Sequence, residues 1–172
     1  MSLLLILGLI GVALVLVFMP RLNIDPGKSK AIQRLQGYKW FHNHWYAGLF
    51  LFSMNAVLFT LTCLMLFALM YFTIPFVHLL VMLAAVILSI LLWLLLGGAW
   101  QGAKSGRIKM SGAGSSFYFL LTIVFSYWFF TIEPEYPGED TFMRAVGLLF
   151  AIVVGLVAFI TCFVMTGFPR RK

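Results

Sequence analysis

Acidic residues are scarce in this chain, with five Asp and Glu against twelve Lys and Arg in 172 residues. Charge of either sign is confined to short segments, and five long apolar runs contain no Asp, Glu, Lys or Arg at all. Ionisable groups inside a membrane are costly and mark proton relays, ion paths and coupling sites. Their absence disfavours a proton- or sodium-driven transporter working through this chain alone. The runs also lack the paired carboxylates or Ser–Lys dyad that an intramembrane hydrolase would use. Cysteine is almost missing too. Cys63 and Cys162 both lie inside apolar runs, at depths that differ by more than about 10 Å at 1.5 Å per residue. A disulfide needs Cα atoms within about 7 Å, so both read as free thiols packing as small apolar residues. No internal repeat is visible, because the runs share no common spacing of glycine, aromatic or polar residues.

What the chain does have is apolar length. Hydrophobic residues make up 63% and charged residues 10%, against roughly 25% charged in a soluble domain. There is too little polar material to cover a water-facing surface, and the mean hydropathy of +1.04 agrees. The expected fold class is all-α: a polytopic integral membrane protein forming a single transmembrane domain over 1–172. Five transmembrane helices are expected, at 2–19, 45–72, 75–96, 116–132 and 145–168. The first run has neither basic residues before it nor a small-x-small site after it, so it reads as an uncleaved anchor rather than a cleavable signal.

The charges orient these spans. Eleven of the twelve Lys and Arg fall in 21–39, 104–109 and 170–172, while Glu133, Glu135, Glu139 and Asp140 crowd into one loop. Cytoplasmic loops carry the excess of Lys and Arg, which places the N-terminus outside, the C-terminus in the cytoplasm and the acidic loop outside. Only Arg144 departs from the bias, and it can snorkel at its helix end. The net charge of +7 is explained by retention beside anionic headgroups, with no nucleic-acid partner. A bacterial cytoplasmic (inner) membrane suits the bias.

Between the first two spans, the basic segment 21–44 offers Asp25 as an N-cap and Pro26 at the first helical position. Ile32, Leu35 and Tyr38 then fall at helical spacing, as in an amphipathic helix lying in the cytoplasmic interface. Arg21, Lys28, Lys30, Arg34 and Lys39 are candidates for docking anionic lipid headgroups or an acidic partner. Tyr38 to Tyr46 forms an aromatic belt at the membrane entry. The glycine-rich basic stretch 97–114 is expected to be a mobile loop.

Within the spans, Gly147, Ala151, Gly155, Ala158 and Cys162 form a stripe of small residues, a candidate helix-packing face toward this chain or another. Asn55 needs a hydrogen-bond partner where there is no water, and His78 is the other intramembrane polar candidate. His44 and His78 fall at opposite ends of their helices, and His42 and His44 are about 200° apart on a helix. No metal, cofactor or catalytic set is therefore expected. The pattern points to a non-catalytic multi-pass subunit that scaffolds, anchors or regulates a larger membrane assembly, through contacts with other membrane subunits or with itself. A small homo-oligomeric channel or transporter for a neutral solute is the alternative, and a lipid-active or redox membrane enzyme the third reading.

Overall fold

The computed structural model describes residues 30–72, 77–134 and 140–168. The first apolar run, 2–19, lies outside the described residues, as do Arg21 and Lys28. The described chain is helical throughout, with no strand. A short helix α1 (Lys30–Gly37) and a 3-10 turn (Lys39–His42) lead into four long helices: α2 (His44–Leu69), α3 (Val77–Ala99), α4 (Lys104–Phe130) and α5 (Phe142–Gly167). Each of the four is long and apolar enough to cross a membrane. At about 1.5 Å per residue, 23–27 residues rise about 35–40 Å, enough for a hydrocarbon core of about 30 Å.

No proline interrupts these helices. Pro75, Pro134, Pro137 and Pro169 all fall between or beyond them, where a missing N–H and the restriction on the preceding residue are harmless. Local caps start two of them. The Asn43 side chain accepts from the N–H of Trp45 at 3.0 Å, and Asp140 Oδ1 accepts from the N–H of Phe142 at 2.9 Å.

The helices run alternately up and down. One end of the bundle carries the start of α2 and α4 and the finish of α3 and α5; with Lys104, Arg107 and Lys109 there, it is the basic end. Around the bundle the order is α2, α4, α5, α3, each packed on the next and α3 closing against α2. Among the described residues of the four long helices, the buried ones run from the basic end to the middle of the bundle: 47–55 on α2, 93–99 on α3, 107–122 on α4 and 155–167 on α5. Helix α1 closes that end. Ile32 is fully buried and reaches Gly98 of α3, while Phe41 meets Trp100 edge-on at 6.2 Å. Leu35 packs partly into the same cluster, whereas Tyr38 lies beyond the helix and is exposed.

One expectation fails. The stretch 97–114 is helical except for the connection at 100–103, so it is not a mobile loop. Gly97, Ser111 and Gly114 in it serve helix contacts instead of turns. A Cβ on Gly97 would come within 2.9 Å of the Met165 carbonyl oxygen, and one on Gly114 would overlap the Leu51 side chain. A glycine inside a helix costs roughly 1 kcal/mol relative to alanine, and here the close approach of two backbones offsets that. Across the same crossing, Gly48 faces Ala113 and Met110.

Candidate functional site

The polar residues inside the bundle gather where the helices are closest. Asn55 of α2 has no exposed surface. Its Oδ1 accepts from Trp93 Nε1 of α3 at 2.9 Å, and its Nδ2 donates to the Gly114 carbonyl of α4 at 3.2 Å and toward Cys162 Sγ of α5 at 3.7 Å. One amide thus joins all four long helices. The absence of a side chain at Gly114 lets α4 come near enough for its carbonyl to be reached, and the same glycine receives Leu51. Tyr118, one turn further along α4, meets Trp93 edge-on at 5.9 Å.

A second polar set lies nearer the basic end. Ser111 Oγ donates to the Phe163 carbonyl at 2.7 Å and lies 2.7 Å from Thr166 Oγ1, which in turn reaches the Cys162 carbonyl at 2.7 Å. Two hydroxyl protons serve three contacts, so one contact always goes without a proton. Ser111 and Thr166 are fully buried, and Gly167 lets the serine sit close to the α5 backbone. At the rim, the buried Arg107 donates from Nη2 to the Trp100 carbonyl at 2.9 Å, tying the start of α4 to the turn before it.

The residues singled out from the sequence are distributed unevenly around this junction. Cys162 is on it, facing Asn55. Gly155 is buried against Thr122 of α4, Ala151 and Ala158 are half-buried, and a Cβ on Gly147 would meet nothing within 4 Å. His78 is exposed in the first turn of α3, fifteen residues and roughly 22 Å along the helix from Trp93. Arg34 is exposed on α1; Lys30 and Lys39 begin α1 and the 3-10 turn, their side chains outside the described set. Trp93, Ser111 and Thr166 were not singled out. Trp93 carried a usable signal, because a buried indole N–H needs an acceptor and Asn55 is the amide of the spans. Ser111 and Thr166 carried none.

Chemically the junction engages both ends of the Asn55 amide with groups on the other three long helices. No group of three or more His, Cys, Asp or Glu side chains placed to hold a metal ion occurs among the described residues. No protein-family model, curated protein or solved structure matches the chain.

Proposed function

We propose that the chain is a five-span membrane protein, N-terminus outside and C-terminus cytoplasmic, acting as a non-catalytic subunit that scaffolds, anchors or regulates a larger membrane assembly. The charge bias of the loops supports that orientation and a bacterial cytoplasmic membrane. The basic segment 21–39 then lies against anionic headgroups, where each Lys or Arg is worth about 1 kcal/mol. Partner proteins of the same membrane, or further copies of the chain, supply the assembly.

The observation that carries the subunit reading is the state of Asn55. It is the strongest dipole within the spans and the natural residue to line a path for a neutral solute. Yet it is fully enclosed, with both ends of its amide engaged by three neighbouring helices. A group held this way braces a bundle and has nothing left to offer a solute.

Reconstitution tests the reading. The purified chain in liposomes should give no ion or small-solute flux above empty vesicles, and crosslinking in native membranes should recover a different protein in stoichiometric amount. Robust flux that is lost on Asn55→Leu, with no partner recovered, would favour the channel. Orientation is checked separately with single cysteines in a background lacking Cys63 and Cys162. Gly138→Cys should react with an impermeant thiol reagent in intact cells, and Ser105→Cys only after lysis.

A further inference from the structure

Lys109 lies in the second turn of α4, and its side chain is exposed. Contacts of its neighbours fix the face it occupies. The Met110 backbone faces Gly48 of α2, and Ser111 bonds to α5. At about 100° per residue, Lys109 stands on the other side of Met110 from Ser111. That is the lipid side of the seam between α2 and α4. On α2 the buried Ala47 and Leu51 mark the inner side of Gly48. Trp45 lies about 60° to its other side and is 66% exposed. It borders the same seam as Lys109. Their levels agree too. His44 meets Gly106 and Gly48 meets Met110, so the two helices keep step, and Trp45 and Lys109 differ in depth by about 3 Å. Ser105, exposed and one turn before Lys109, shares its face.

A cation on the lipid side of a membrane helix extends its stem toward the headgroups, where an anion can meet it. Among the described residues the carboxylates, Glu133 and Asp140, lie at the far end of the bundle. The Lys109 ammonium, the Ser105 hydroxyl and the Trp45 indole N–H carry no hydrogen bond or ion pair among the described residues. Beneath these three donors the seam is apolar. Leu49, Phe52 and Ala56 continue the Trp45 face at helical spacing. Phe52 meets Phe117 of α4 edge-on at 5.5 Å, and Leu49 and Leu120 are exposed. Donors above an apolar furrow match a phosphate above an acyl chain. A zwitterionic headgroup would bring its own ammonium among Lys104, Arg107 and Lys109, whereas an anionic one meets only opposite charge.

We propose that the lipid side of the α2–α4 seam at the basic end holds one anionic phospholipid. Its phosphate sits on Lys109, Ser105 and Trp45, and an acyl chain lies over Leu49, Phe52 and Leu120. The site needs only that the four long helices cross a membrane; neither their orientation nor a subunit role enters it.

Retention of lipid by the full chain tests the site. Purified protein in mild detergent, given equal amounts of phosphatidylglycerol and phosphatidylcholine, should keep one phosphatidylglycerol by native mass spectrometry. The preference should be about fivefold or more, the worth of one cation at an anionic surface. Lys109→Gln should remove about that factor, Lys109→Arg should keep it, and Lys104→Gln, about 140° round α4, should change it less than about twofold. Glycerol phosphate, the headgroup without chains, should not be retained. Melting in detergent without added lipid checks that each variant is folded. Equal retention of the two lipids, or a preference that Lys109→Gln leaves intact, would overturn the site. Retention of glycerol phosphate would overturn it in favour of a free phosphate. An acidic protein that copurifies and is lost on Lys109→Gln, while lipid retention stays the same, would give the seam to that protein instead.

Discussion

The two halves of the bundle are built differently. Toward the basic end, glycines bring α2 against α4 and α3 against α5, and Asn55, Ser111 and Thr166 bond from helix to helix. Toward the far end no described residue is fully buried, and Thr62, Ser126 and Thr131 bond only within their own helices. The sequences of the halves explain this. Residues 97–114 hold six glycines, at 97, 98, 102, 106, 112 and 114, whereas α3 from Val77 to Trp93 holds none. In lipid, apolar side chains gain nothing by leaving one hydrocarbon for another, so association depends on close backbone approach and on hydrogen bonds. Where both are available the helices lock; where large side chains replace them, the helices merely adjoin.

Glycine-to-leucine substitutions should break the contrast most sharply. Gly97→Leu and Gly114→Leu place a side chain where a neighbouring helix already sits, and each should destabilise by about 3 kcal/mol or more. Gly155→Leu, against Thr122, should follow them. Gly147→Leu, on the open side of the same α5 stripe, should be neutral or slightly stabilising, by up to about 1 kcal/mol, because leucine is the better helix former. Thermal unfolding in mild detergent reads all four, and equal losses at Gly97 and Gly147 would erase the distinction between the halves.

The junction itself should show coupling. Asn55→Leu leaves the Trp93 N–H without its acceptor and should cost about 1–2 kcal/mol. Trp93→Phe removes the other partner, and the double variant should lose less than the two singles combined, by about 0.6 kcal/mol or more. Strict additivity would mean that the indole and the amide are neighbours without being partners.

Docking of α1 is a local matter. Ile32→Ala removes the side chain that seats it on Gly98, so limited proteolysis within 30–43 should accelerate several-fold while the melting of the four long helices stays within about 0.5 kcal/mol. The smallest effect belongs to the far half, where Ser126→Ala removes only a bond to the helix's own Thr122 carbonyl and should change stability by less than about 0.5 kcal/mol.

Hydropathy alone locates the long helices, since α2, α3 and α5 coincide with runs rich in Leu, Phe, Val and Ile. It misplaces the start of α4 by twelve residues, from Ser116 to Lys104. The missing stretch, Lys104 to Ser115, is polar and glycine-rich, and apolar content cannot distinguish a loop from a helix whose glycines are contact surfaces. Asn55 stood out because a lone amide in an apolar run demands a partner. Its partners Gly114 and Cys162 come from 59 and 107 residues away, and which helices neighbour which is a property of packing that no local pattern encodes. Gly147 and Gly155 look alike in the sequence and differ only in what stands opposite them.

The reach of Asn55 also imposes a schedule on synthesis. The residue enters the bilayer with α2, but Trp93 follows 38 residues later, Gly114 59 later and Cys162 107 later. At roughly 5–20 residues per second, the last of these arrives about 5–20 s after the amide does. Until then a group that hydrocarbon cannot satisfy must be held by the insertion apparatus or by passing water, and the clasp closes only when the final helix has been made.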